Sequence, residues 1–204
     1  MLAFDTRARY RNSTCARDSV AGMQTHLAQF ARFAQYNSWF NARVCACVGA
    51  LSPEERTRDL GAYFGSIEAT LDHILLVDRI WLGRLAASEL AFPALAGARL
   101  VRGGGSLRDR LHADFASLER GRVETDTVIE AWVGDLTPEL LASTLRYRNM
   151  AGDRFEAPVW HAAAHVFNHQ THHRGQVTTL LSQLGHDVGV TDFILTAHMP
   201  TPAA

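Results

Sequence analysis

The chain is poor in cysteine, in long apolar runs and in net charge. Among 204 residues there are 3 cysteines, Cys15, Cys45 and Cys47. An odd count, with Cys45 and Cys47 falling on different sides of any helix, argues against a disulfide scaffold and makes a reducing cytoplasm the default. No apolar run reaches the roughly 18 residues that a membrane-spanning helix needs. The 20 basic residues are balanced by 21 acidic ones, for a net charge of −1. Such a chain has no global field to hold a polyanion or a membrane surface, and its arginines form no stripe along one segment. Neither a nucleic-acid nor a membrane partner is therefore expected.

What is present fits one globular domain. Hydrophobic residues make up 47% and charged residues 20%, enough for 204 residues to bury a sizeable core. Residues 1 to 22 stand apart: they are Arg-rich, carry Asp5 and Asp18, and lack the apolar stretch of a secretory signal. They are expected to form a disordered extension, with Met23 a candidate start and 23–204 the folded domain.

Four long segments have helical period. The first, Thr25 to Val48, is apolar nearly all round, which suits a buried helix or a paired one. Ser52, Pro53 and Glu55 make a capping box for a short following helix. The second long helix runs from Ser66 to Ala87 and the third from Ser106 to Trp132, with a loop over Pro93 to Gly105 between them. "LRYRNMAGDRFEAP" alternates about a central Ala-Gly-Asp and predicts a short hairpin. The fourth long helix begins at Pro158 or Val159 and ends at Gly185. The sum is an all-α chain, an antiparallel four-helix bundle with a short β-hairpin before the last long helix.

The stretch "NHQTHHRGQ", Asn168 to Gln176, holds three of the 10 histidines. On a helical wheel Ala162, Val166, His169, His173, Val177, Leu180 and Leu184 make one core-facing seam. His161, His165 and His172 fall on a polar arc with Asn168, Gln176, Thr179 and Gln183. An i, i+4 histidine pair places two imidazoles on one face, about 6 Å apart at Cβ. A catalytic zinc site typically takes three protein ligands. The second helix offers a third in His73, on a seam with Thr70, Val77, Ile80 and Arg84. A lone core histidine is most often only hydrogen-bonded; two on one seam facing a third on another are not so easily set aside. Gln170 follows His169, so the HExxH motif with its general base is absent. Asp78 interrupts the apolar stripe of Ile67, Leu71, Ile74, Leu75, Leu82 and Leu85. It is a candidate to orient a ligand histidine from outside the coordination shell, or to pair with an arginine such as Arg174. Asn37 and Asn41 share one face of the first helix and read as structural. Gly175, inside the fourth helix, suggests a closely approaching backbone.

"YNSWFN" (Tyr36–Asn41), "GSIEATLDHILLVDRIWLGRL" (Gly65–Leu85) and "HVFNHQTHHRGQVTTLLSQLG" (His165–Gly185) resemble the DinB family, named for damage-inducible bacterial proteins. The similarity runs from about Met23 to Ile194. It implies a four-helix bundle holding one divalent metal, with His73, His169 and His173 as ligands, the three that the wheels bring together. Asp72 stands where the family pattern has Asn, and its side chain lies off the seam. Zn, Ni or Fe suits such imidazole ligands. The resemblance also implies a homodimer and a small-molecule substrate, with a low-molecular-weight thiol as one option. Two functions follow. The first is a metal-dependent transferase or hydrolase, in which three neutral ligands leave a position open to activate water or a thiol. The alternative is a non-catalytic metal-binding stress-response or interaction protein. A site open to a cavity favours the first, and a sealed one the second.

Overall fold

The computed structural model describes residues 16–101 and 105–200. Most of them are helical. The elements are α1 (Ala16–Gly49), α2 (Pro53–Thr57), α3 (Ile67–Ala86), α4 (Phe115–Gly134), α5 (Pro138–Ala142), β1 (Thr144–Arg148), β2 (Arg154–Pro158) and α6 (Val159–Gln183), with 3-10 turns at Pro93–Leu95 and Phe193–His198. Among the described residues no helix is long and apolar enough to cross a membrane.

Helix α1 already begins at Ala16, earlier than the apolar pattern predicted; residues 1–15 of the expected extension lie outside the described residues. Phe30, Ala34, Asn37, Asn41, Val44 and Val48 are buried, and they follow the three–four spacing of a single face. α1 is therefore not buried all round. Part of its surplus of aromatic residues is covered from the C-terminal side. Phe193 packs against Phe33 and Tyr36 at centroid distances of 5.1 and 5.2 Å, and the Tyr36 hydroxyl donates to the Thr191 carbonyl at 2.6 Å.

The helix buried on nearly every side is α3. It packs on α4 and α6, and α1 packs on the same two. Two apolar clusters fill the interior, one around Trp132 and Leu85 and the other around Ile67, Val44 and Leu181. Each fully buried Leu or Ile there contributes about 1.5–3 kcal/mol. Gly83 has a packing reason: a Cβ would meet the Val101 carbonyl oxygen at 2.2 Å, because the chain after α3 folds back across it.

Local chemistry sets the helix limits. Ser66 caps α3 by accepting from Ala69 N–H at 3.2 Å, a contact typically contributing about 1 kcal/mol. Ser52 and Glu55 form the expected capping box on α2. α6 closes at Gly185, whose φ of +81 suits glycine, with His186 N–H returned to the Leu181 carbonyl at 2.9 Å. The hairpin forms as expected, with Tyr147 opposite Phe155 and Arg148 opposite Arg154.

The third long helix starts nine residues later than its period suggested. Asp114 caps it, accepting from Ser117 N–H at 2.7 Å. The segment before Asp114 lies along α3 instead, where buried acids take its polar groups. Asp72 accepts from Leu111 N–H at 2.9 Å and sits 3.0 Å from His112 Nδ1, and Arg110 pairs with Glu68. Asp72 is thus off the seam and still buried; it ties down the loop that carries Leu107.

Candidate metal centre

His73 comes from the middle of α3. His169 and His173 come from successive turns of α6, which packs against α3. His73 and His173 are buried and His169 is half-buried. Each of the three can offer one ring nitrogen, and these atoms all lie within 4.8 Å of one another. His73 Nε2 and His169 Nε2 are 3.2 Å apart. Nitrogens sharing a tetrahedral ion at about 2.1 Å would stand about 3.4 Å apart, so that pair is already at ligand spacing and His173 has only to close in.

Hydrogen bonds orient two of the rings. His73 Nδ1 donates to the Leu107 carbonyl at 2.8 Å, and His173 Nδ1 donates to Gln176 Oε1 at 2.8 Å. A carbonyl oxygen only accepts, so the proton sits on Nδ1 and the Nε2 lone pair is left free. Phe64 stacks on the His73 ring at 3.9 Å and fixes its plane. His169 has no such partner: its Nδ1 is buried without a hydrogen bond. Burial lowers the pKa of all three. His169 falls to about 3, with desolvation leading and repulsion from His173 and His73 adding to it. The rings are neutral at pH 7, the form in which imidazole binds a metal. Three neutral imidazoles with converging ring nitrogens fit a divalent cation.

The triad opens into a cavity of about 880 Å³, lined among others by Val77, Ile80, Trp81, Arg84, Met150 and His165. No Asp or Glu lines it among the described residues. His161, His165 and His172 are solvent-exposed, as the wheel predicted. His165 still reaches the cavity edge, its ring 4.8 Å from that of Trp81.

The remaining polar residues of the core form a separate network. Arg122 Nη1 donates to Asp78 Oδ2 at 2.5 Å, and Arg122 Nη2 lies 2.8 Å from Asp126 Oδ1. Asp126 accepts from Asn37 at 2.9 Å and from Asn41 at 3.0 Å. Arg174 donates to the Asn37 and Gln170 side-chain oxygens. The expectation that Asp78 orients a ligand histidine is therefore replaced. Its partner is Arg122 on α4, reached because the stripe carrying Asp78 turns away from the seam of His73. Nor is Arg174 its hydrogen-bond partner. Asn37 and Asn41 are structural, as expected. Gly175 is solvent-exposed, and a Cβ there would meet nothing within 4 Å, so no approaching backbone explains it. Cys45 is buried and free, and burial pushes its thiol up to about 12, which removes it as a nucleophile.

The DinB family model matches residues 23–203. The chain belongs to the DinB family. Protein DinB of Bacillus subtilis (strain 168) is 26% identical over 160 residues, a span covering 78% of this chain and 88% of that protein. No solved structure matches the chain. Within this family member the residues that orient the triad are Leu107, through its main-chain carbonyl, and Gln176. Sequence alone could not assign Leu107, because the contact depends on a loop path and not on a side chain. Gln176 fell on the polar arc of the wheel, and its i+3 spacing from His173 is the signal that could have found it.

Proposed function

We propose that this chain is a metal-dependent enzyme, of the thiol-dependent transferase or hydrolase type, centred on His73, His169 and His173. The observation that carries this reading is the placement of three neutral imidazoles at one wall of an 880 Å³ cavity rather than in a sealed core. In the same reading α1, α3, α4 and α6 form an antiparallel four-helix bundle with the site between α3 and α6, a usual location for such centres. One divalent ion, Zn, Ni or Fe, would be held by the three histidines and, when bound, supplies Lewis-acid chemistry to a substrate atom.

The protein's own part is positioning. Leu107 and Gln176 hold His73 and His173 with Nε2 turned inward. Val77, Ile80, Trp81 and Met150 give the cavity apolar walls that limit water around the reacting atoms. The cavity is large enough for a small molecule together with a low-molecular-weight thiol. A cytoplasmic homodimer belongs to the same proposal, and light scattering of the purified chain tests the dimer. The central experiment is metal analysis of the purified protein, paired with a turnover screen using thiol cosubstrates. Stoichiometric metal lost in His169→Ala and retained in His165→Ala supports the site. A loaded protein inert toward every thiol and hydrolysable ester offered would favour the non-catalytic reading.

A further inference from the structure

Arginine supplies all 20 basic residues of this chain, and nearly every described arginine in its interior has an acceptor. Arg79, Arg122 and Arg174 are each hydrogen-bonded to side chains or carbonyls. Arg84 is different. It is half-buried on α3, three turns after His73, and lies over two rings, its guanidinium carbon 4.5 Å from the Trp81 centroid and 5.2 Å from that of Tyr147. Among the described residues it has no carboxylate partner and no hydrogen-bond acceptor. Burial lowers its pKa, with Tyr147 opposing the shift.

Its location gives this a meaning. Arg84 lines the histidine cavity and also the adjoining cavity of about 780 Å³ against the β1–β2 hairpin. A run of ring contacts links it to the triad: His169 to His165 at 6.0 Å, His165 to Trp81 at 4.8 Å, and Trp81 to the Arg84 guanidinium. A second arginine, Arg108, enters the lining from the other side over Tyr63 at 4.5 Å. With no acid in the histidine cavity among the described residues, Arg84 and Arg108 are the cationic groups of a wall that is otherwise apolar or neutral and polar. A guanidinium packed against aromatic rings and bonded to no acceptor keeps its N–H fork free for a two-oxygen anion.

We propose that Arg84 anchors an anionic group, a carboxylate or a phosphate, on the substrate, with the substrate's apolar part laid along Trp81 toward the histidines. This rests on reading the cavity as a substrate site, and it names the substrate's class: a small anion.

The test uses calorimetric titration of the full-length chain, metal-free and zinc-loaded, with benzoate and phenyl phosphate as probes and benzamide as the neutral control. Circular dichroism confirms that each variant is folded. We expect one or both anions to bind the metal-free protein, with benzamide at least 10-fold weaker. Arg84→Gln should weaken anion binding by 10-fold or more at unchanged zinc content. Arg84→Lys should recover part of the loss, and Arg120→Gln, at an exposed position on α4, should change nothing. The tighter probe tells carboxylate from phosphate. Equal affinity in wild type and Arg84→Gln overturns the inference, as does binding seen only with zinc and indifferent to Arg84, which would put the anion on the metal. Failure of both probes to bind in either state also overturns it. If zinc does not bind but anion binding still depends on Arg84, the metal reading fails while this one stands.

Discussion

Two polar clusters share helix α6 at adjacent positions, and they are built on opposite principles. Gln170 and Arg174 face the α1 and α4 side, where they join Asn37, Asn41, Asp78, Arg122 and Asp126. His169 and His173 face α3 and the cavity. The first cluster balances two carboxylates with two guanidinium groups and joins them by hydrogen bonds. The second is neutral, and its ring nitrogens converge beside the cavity. A buried network whose charges are paired internally is architecture, because a ligand entering there would have to displace an ion pair. A cluster of neutral, converging ring nitrogens beside a cavity is where a ligand gains most.

The sharpest way to break the comparison is to remove one charge from the first cluster. Arg122→Ala leaves Asp78 and Asp126 buried without their common partner. Loss of one member of a buried pair typically costs about 3–5 kcal/mol, which for a chain of this size lowers Tm by roughly 6–20 °C. Thermal unfolding followed by circular dichroism checks this, and a fall under about 3 °C would mean the network is not structural. Asp78→Asn, which keeps the shape, should unfold at lower temperature while binding metal as wild type does. Weakened metal binding in a folded Asp78→Asn protein would return Asp78 to the metal centre.

The second cluster should answer in the other currency. His169→Ala is expected to lose stoichiometric metal by elemental analysis, while its metal-free Tm stays close to that of the metal-free wild type. Equal metal loss in His165→Ala would mean that the liganding face is wider than three residues. Gln176→Ala removes only the acceptor that orients His173. Loss of such an outer partner typically weakens metal affinity about 10–100-fold, measurable by competition with a chromophoric chelator. The smallest effect concerns Cys45. Its thiol, pushed up to about 12 by burial, holds almost no thiolate at pH 8, so peptide mapping after iodoacetamide treatment of the folded protein should find it unmodified. Rapid alkylation would show that the α1 interior opens.

The histidine triad was legible because its spacing is set by the helix itself: residues 169 and 173 must share a face, and the seam of α3 puts His73 among apolar neighbours. The caps at Ser52 and Gly185 were legible for the same local reason, and so was the start of α3 near Ser66. The start of α4 was not, since Ser106 to Asp114 carries no residue that forbids a helix. What decides it is the pull of Asp72 and Glu68 across from α3, a tertiary effect. Asp78 was recognised as anomalous, but its partner lies 44 positions away on another helix, and periodicity orders residues within a helix, not between helices. The Leu107 carbonyl and the Arg84 stack on Tyr147 were hidden likewise, because each needs a loop or a hairpin to arrive from a distance.

The 3.2 Å gap between His73 Nε2 and His169 Nε2 has a thermodynamic consequence. If a cation enters there it binds the folded chain far better than the unfolded one, where the two nitrogens are not held together, so occupancy and folding are linked. At a free metal concentration 100 times Kd the fold would gain about 2.7 kcal/mol, a rise in Tm of roughly 5–11 °C. The melting curve would then act as a gauge of metal supply, and in a metal-poor cell the unloaded copies would be the ones most exposed to proteolysis.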